Sequence, residues 1–453
     1  MRIISLLSVT LVASILGCGA SSGVDGGING ACPALTGANA AGTTHAETVS
    51  SSQTWSAAGS PHLVSDVTIA AGATVTIEPC AVVKLTSNST ITVEGGGKLI
   101  ARGTSASPIV FDKAESDEWG TLHVIPANDD TVGALDLAYV TLSHGGAQSG
   151  VGNPNFFGGV ISAYGNDTQV LGKPVVAAVK VDHVTIQDTP DWGVRLFQGA
   201  AFTSDSTALT VVRATRGVAR VGVRLVTSFP SGTYTGNGLD AIVVTRDADP
   251  VVQDVTLRDL GVPYIFAEDG TDKFELTIGG HSASESATLT VQPGVTMKMG
   301  PGSVISVQEG GKLVAAGEVA KPIVITSMAA SPAAGDWGGL SFGATIRAGN
   351  TLNYVTIAYA GGENLDNPGT HCEPGGVDSL SERAGVTFNS QPASAFITNS
   401  TIRDSAKYGI NLAYQGTPVD FRPTNTFTNV ALCKQTTPQQ SDGTCPAVVV
   451  CLP

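Results

Sequence analysis

Four arginines stand at positions 213, 216, 220 and 224 in the stretch VVRATRGVARVGVRLV, inside a chain whose formal net charge is −14. A guanidinium fork matches a carboxylate, sulfate or phosphate through paired N–H donors. Residues four apart share a face of a strand. Arg220 and Arg224 are therefore expected to point together, and outward, because burying an unpaired charge is costly. Arg213, Arg216, Arg220 and Arg224 are thus the candidate binding residues, with an acidic glycan as the ligand they suit. The plainer alternative is a solvated face that pairs with nearby Asp. The acidic balance of the whole chain, 24 Lys and Arg against 38 Asp and Glu, argues against nucleic acid, whose affinity comes from cations on phosphates.

Other chemistry is thinly represented. AEDGTD (267–272) and TRDADP (245–250) carry carboxylates, but neither has the spacing of a defined calcium loop. No metal or other cofactor is expected, with calcium the weak exception. Asp129-Asp130 is the one Asp-Asp pair and falls in a polar stretch. No Gly-x-Ser-x-Gly elbow occurs. His123 and His144 fall on strands or strand ends as single histidines. Cysteines stand at 18, 32, 80, 372, 433, 445 and 451. No CxxC or HxxxH pair points to zinc. In an exported chain, Cys32, Cys80, Cys372, Cys433, Cys445 and Cys451 are disulfide candidates. Cys80 stands where a second copy of the motif has Gly294, so a bond to Cys32 is expected. Another is expected within the cysteine-rich C-terminal end or from it to Cys372.

The elements that must position these residues are short and rhythmic. TVTI, VVKL, TITV, KLIA and PIVF begin at 74, 82, 90, 98 and 108. TLTV, TMKM, VISV, KLVA and PIVI begin at 288, 296, 304, 312 and 322. The steps are the same in both sets. Each run is β-branched or apolar and bounded by Gly, Pro, Asn or Ser, which reads as a strand. Tight hairpins favour Asn-Gly or Asp-Gly, and few are present. Three strands per coil instead predict a stacked solenoid, each coil adding about 4.8 Å. Later runs repeat an apolar–Thr–apolar core: VTLSHGG (140–146), VTIQDTPDWGVRL (184–196), VTLRDLGVPYIF (255–266), VTIAYAGG (355–362) and STIRDSAKYGINL (400–412). Asp188, Asp259 and Asp404 follow that core and read as turn formers. Trp119 and Trp337 read as covers on the side of a coil. Gly96, Gly97, Gly310 and Gly311 suit turns or close backbone approach. Two tandem copies of one superhelical unit account for the repetition, because a coil cannot bury its core without neighbours.

These repeats, ATVTIEP–C–AVVKL, GGGKLIARGTSASPIVF and EWGTLHV with their second copies, resemble right-handed parallel β-helix proteins of the pectin-lyase-like superfold. They look closest to repeat-containing surface lipoproteins of Gram-negative bacteria. The resemblance implies an all-β solenoid and leaves the activity open, since this fold carries lyases, hydrolases, adhesins and scaffolds. Asp182-His183 resembles the DH-bearing strand of pectate lyases, but no Arg-x-Pro-x-x-Arg string follows. His144-Gly145-Gly146 is a fragment of the polygalacturonase Gly-His-Gly without its Asp partners. Catalysis is not expected, and a polysaccharide lyase or glycoside hydrolase is the alternative.

The first residues, MRIISLLSVTLVASILGC, have the charge and short apolar run of a secretory signal. Ile15-Leu16-Gly17-Cys18 looks like a bacterial lipobox, which implies acylation of Cys18. Gly19 after it favours the outer membrane. The expected organisation is a lipoprotein signal peptide (1–17), an acylated Cys and flexible tether (18–48), two β-helix units (49–262 and 263–430) and a Cys-rich C-terminal cap (431–453). The expected protein is a lipid-anchored outer-membrane or surface scaffold or adhesion module, with membrane and polysaccharide as partners.

Overall fold

The computed structural model describes residues 32–33, 41–127, 131–147, 158–165, 175–246, 250–267, 274–343, 345–362, 384–438 and 450–453. Cys18, Cys372, Cys445, Asp129-Asp130, the signal segment and the carboxylates of both calcium candidates lie outside them. Among the described residues every regular element is a β-strand apart from three single-turn 3-10 helices, and no helix is long and apolar enough to cross a membrane.

Every pairing between named strands is parallel, and partners are separated by a whole coil. One sheet has 14 strands, from Thr48–Val49 to Thr426–Val430, a second has 12, and two have five each. This is a parallel β-helix. The runs read from the sequence are strands: Thr74–Ile77, Val82–Leu85, Ile91–Val93, Lys98–Arg102 and Ile109–Lys113 in the first copy. Ala287–Val291, Thr296–Met299, Val304–Val307, Gly311–Ala316 and Ile323–Ser327 are their counterparts. Val75, Ile77, Ile91, Val93, Leu99 and Ile109 all face the interior and are at most 1% exposed. Strands begin at Thr43, inside the stretch read as a tether.

The corners explain the apolar–Thr–apolar signature. His144, Asp188, Arg213, Tyr359, Asp404 and Asn429 all have φ between 52° and 62°. Five residues before five of them stand Tyr139, His183, Ala208, Tyr354 and Asn399, with φ of 49–55°. A four-residue strand is thus bracketed by two left-handed corners, a conformation costly for residues with a Cβ except where Asn, Asp or His eases it. Inside the brackets the middle Thr faces out and stacks on its neighbours, as in Thr141↔Thr185 and Thr185↔Thr210 and Thr356↔Thr401↔Thr426. Asp188 and Asp404 are corner residues, as read; Asp259 is not left-handed. Gly97 and Gly311 are required by close approach, since a Cβ would come within 2.6 Å and 2.0 Å of Ile69 O and Ile278 O.

The tandem copies are rotated. Ile91–Val93 lies in the 14-stranded sheet, whereas its counterpart Val304–Val307 lies in a five-stranded sheet. The 14-stranded sheet instead continues with Thr296–Met299, the counterpart of Val82–Leu85. Equivalent strands therefore step round the helix by one face between copies.

Both ends are sealed. Cys32 is bonded to Cys80. Cys80 has φ +68° and its counterpart Gly294 φ +89°, so the cysteine occupies a turn that glycine fills in the second copy. Beside it, Trp55 is 1% exposed and its ring stacks on His45 at 4.2 Å. His62 Nε2 donates to Ser56 O at 2.8 Å, which leaves Nδ1 to accept from His45 Nε2 at 3.0 Å. Both rings are neutral in this arrangement. At the other end Cys433 is bonded to Cys451. Gln435, 1% exposed, accepts from Phe421 N and donates to Val419 O. Arg422 donates to the carbonyls of Leu452 and Pro453.

Two outcomes follow from this packing. Ile77→Ala and Ile91→Ala should each cost about 2–4 kcal/mol, the range for opening a cavity in a packed core. A chemical unfolding midpoint that does not move would refute the inward assignment. The second concerns acid. Burial, and then the neighbouring His62, lowers His45 from 6.5 to about 4, with Glu47 opposing. Burial lowers His62 as well. Their folded-state pKa lies below the unfolded value, so the stability they hold is complete above about pH 6.5 and is lost as pH falls toward 4. His45→Asn with His62→Asn should flatten that part of a stability-against-pH curve measured by thermal unfolding, and an unchanged curve would contradict it.

Candidate functional site

The four arginines do not form one stripe. Arg213 is a left-handed corner residue, and its Nε and Nη2 donate to Asp188 Oδ1 and Oδ2 at 2.6 and 2.8 Å. Arg216 lies 3.4 Å from Asp191. Arg220 is on the strand Gly217–Gly222. That strand ends before Arg224, so the four-residue alternation used to align the two no longer applies. Arg224 is 6% exposed, so it is buried and not presented to solvent as expected.

What the fold brings together instead is an outward column on the 14-stranded sheet. Thr92, His123 and Ser162 are in register, and Ser162, Arg195 and Arg220 continue it. Strand alternation puts them on the outer face while Leu122, Ile161, Val194 and Ala219 fill the core. Arg195 and Arg220 are thus directly opposite one another in adjacent coils. Two residues along, Tyr164 and Phe197 stack with centroids 5.5 Å apart, and His123 meets Tyr164 edge-on. The Arg195 guanidinium carbon lies 5.1 Å from the Phe197 centroid, within cation–π range.

This wall is partly dehydrated. Arg195 is 2% exposed and Asp191 3%, while Arg220 is half-buried and Arg216 exposed. Burial pulls Arg195 below its usual range, against the opposing effects of Tyr164 and Asp191. Burial also pushes the Tyr164 hydroxyl up to about 12, with Arg195 opposing, and lowers His123 to about 4. At neutral pH the wall therefore presents guanidinium charge, an un-ionised phenol and a neutral imidazole. Gly158 makes room for it. A Cβ there would lie 2.3 Å from Asp191 Oδ2 and 3.0 Å from Arg195 Nη1.

Along the adjoining corner runs a charge-paired ladder. Lys84 reaches Asp112 at 2.8 Å, His144 Nδ1 donates to Asp112 Oδ1 at 2.7 Å, and Asp188 pairs with Arg213. Burial alone would raise Asp112, but the hydrogen bonds from Lys84 and His144 hold it below the ordinary carboxylate range. Asp182 and His183, the pair resembling a pectate-lyase strand, sit at the other corner. There His183 Nδ1 contacts Asp182 Oδ1 at 2.6 Å, and its ring stacks on Tyr139 at 4.6 Å. Trp119 and Trp337 are both wholly buried, and each indole donates to a carbonyl of the next coil, Ser143 O at 2.7 Å and Ala358 O at 2.8 Å. They are covers, as read, and offer no ring face to a sugar. Among the described residues no group of three or more His, Cys, Asp or Glu could hold a metal ion.

Arg195 and Tyr164 were not singled out from the sequence. The available signal was WGVRL at 192–196, where an Arg stands at the outward place of a strand whose counterpart, YGINL at 408–412, has Asn411.

A family model described as a pectate-lyase-like β-helix domain matches residues 47–161 and 269–371, one stretch in each copy. No curated protein and no solved structure matches the chain.

Asp191 sets the stability of this wall. Asp191→Ala removes a buried carboxylate beside buried Arg195 and should cost about 3 kcal/mol, the scale for breaking a buried ion pair. A urea midpoint equal to that of the parent would show that Asp191 does not balance the arginines.

Proposed function

Because the chain is a right-handed β-helix repeat protein with a pectate-lyase-like β-helix domain matched in each copy, we propose that it is a non-catalytic cell-envelope scaffold that holds an acidic glycan against the arginine wall of its first copy. The observation that carries this reading is exposed Arg216 beside half-buried Arg220, the latter in register with buried Arg195. Guanidinium forks suit the carboxylates of such a glycan, and partly exposed Phe197 suits the apolar faces of its sugars. The net charge of −14 does not oppose this, because fields from distant carboxylates are screened beyond about 8–10 Å at physiological salt. Anchoring to the outer membrane through an acylated Cys18, with the residues between it and the first strand at Thr43 as a spacer, belongs to the same reading and rests on the sequence.

A second reading, a polysaccharide lyase or hydrolase, has one observation in its favour. His144 is held by Asp112 at 2.7 Å and is partly exposed, as a general base would be. Release of unsaturated or reducing ends from the same polymers would favour it.

Retention on immobilised polyuronate tests the first reading. The wild type should be retained at low salt and released at high salt. Arg216→Ser with Arg220→Ser should lose most of the retention. Equal retention of both proteins would defeat the proposal.

A further inference from the structure

A corner of the 12-stranded sheet carries a ring stack that stops one coil short. Tyr139, His183 and Ala208 lie within the strands Ala134–Ser143, Val176–Gln187 and Thr207–Val212 of successive coils. All three are left-handed, with φ of 49°, 55° and 52°. Their neighbours are in register, Ala138 with Asp182 and Thr207, and Val140 with Val184 and Leu209. The Tyr139 and His183 rings are 4.6 Å apart and 6° from parallel, so each ring fills one coil spacing of about 4.8 Å. At the level where a third ring would stand, Ala208 supplies only a methyl group.

This place is open and its edge is polar. The His183 side chain is 54% exposed. Thr207 and Ser231 are exposed and Ala208 partly so. His183 Nδ1 donates to Asp182 Oδ1 at 2.6 Å, which fixes the plane of the imidazole and leaves Nε2 without a partner among the described residues. On the far side, Thr207 Oγ1 and Ser231 Oγ lie 3.3 Å apart. The cations nearby are already paired. Arg102 Nη1 is 2.8 Å from Asp136, and Lys180 pairs with Asp205.

We infer that a neutral sugar ring, one pyranose of a glycan, stacks on the open face of His183 above Ala208. The face of an aromatic ring is negative and attracts the slightly positive C–H groups on the apolar side of a pyranose. Hydroxyls at the rim of the sugar both donate and accept, which suits Nε2 in either role, the Asp182 carboxylate and the Thr207 and Ser231 hydroxyls. A uronate or sulfated sugar would meet the Asp182 carboxylate while Arg102 and Lys180 are held by other carboxylates. One coil of room above a methyl group admits one ring. The corner belongs to a different sheet from the arginine wall, and the inference does not rest on that wall's ligand.

Saturation-transfer NMR of the full chain tests this, with the methyl glycosides of glucose, galactose and mannose as probes and adenosine as a flat aromatic alternative. At least one glycoside should receive saturation, most strongly at the protons of one ring face. His183→Ala should weaken its affinity about fivefold, the scale of one lost stacking contact. His183→Tyr should retain binding, since Tyr139, Tyr354 and Tyr359 already occupy such corners. Ala208→His, a residue that left-handed corners favour, should continue the stack, fill the place and abolish the signal with the parent's thermal transition kept. All three variants should keep polyuronate retention. Transfer to none of the glycosides, transfer to adenosine alone, or signals undiminished in His183→Ala or Ala208→His would overturn the inference. A loss in His183→Tyr equal to that in His183→Ala would overturn it too, because it would assign the effect to the Asp182 hydrogen bond and not to the ring face.

Discussion

A coil of three four-residue strands has no interior until another coil lies on it. The parallel backbone ladder supplies that neighbour, and its demand for register governs everything else. Val75 must lie under Leu99 and Ile77 under Ala101, because a slip of one residue would turn the whole inward set to solvent. Burial in one coil is therefore fixed by the sequence of the next. The same rule makes the ends costly, since an unpaired coil exposes both its edge and its core. Disulfides stand at both ends, Cys32–Cys80 and Cys433–Cys451, and the His45–Trp55–His62 cluster seals the first.

Register alone does not decide where the chain turns. Left-handed corners do, and here residues with side chains take many of them. Corner side chains meet those of the coils above and below. The strain of the backbone is thereby coupled to side-chain ladders. Asp188 with Arg213, Arg403 over Tyr359 and Asn429 with Asp404 offset a cost that glycine would not have incurred. This makes the corners a poor place to look for catalysis by motif. Asp182-His183 has the look of a lyase signature and the setting of a turn, with His183 stacked on Tyr139.

The sequence was legible where the period was strict. Steps between runs, inward positions such as Ile91 and Leu99, the buried tryptophans and the Cys80–Gly294 equivalence all follow from comparing the copies. Three features were not legible. The one-face rotation depends on how residues after Arg213 fill a coil, and that stretch has no second copy to compare. The arginines do not group as their spacing suggests because the strand closes at Gly222, before Arg224. Arg195 was missed because its neighbour in space is Arg220 of the next coil, and sequence proximity gave it no company.

Duplication accounts for both outward columns together. The inward residues of the two copies answer to the same ladder and have stayed alike, Leu122 beside Leu340 and Ile91 beside Ile305. Outward residues answer only to what they meet, so the same column reads Thr92, His123, Ser162, Arg195 in one copy and Ser306, Ser341, Thr387, Asn411 in the other. One-face rotation then separates the columns in space. Had the copies stacked without it, the columns would have formed one long row, with the cations of the first next to the neutral groups of the second. Rotated, each column ends where its sheet's role changes. On the 14-stranded sheet the column beyond Arg220 passes to Val243 and Ile265, two apolar side chains that terminate the basic surface. The chemistry of each column is thus bounded by the geometry of stacking.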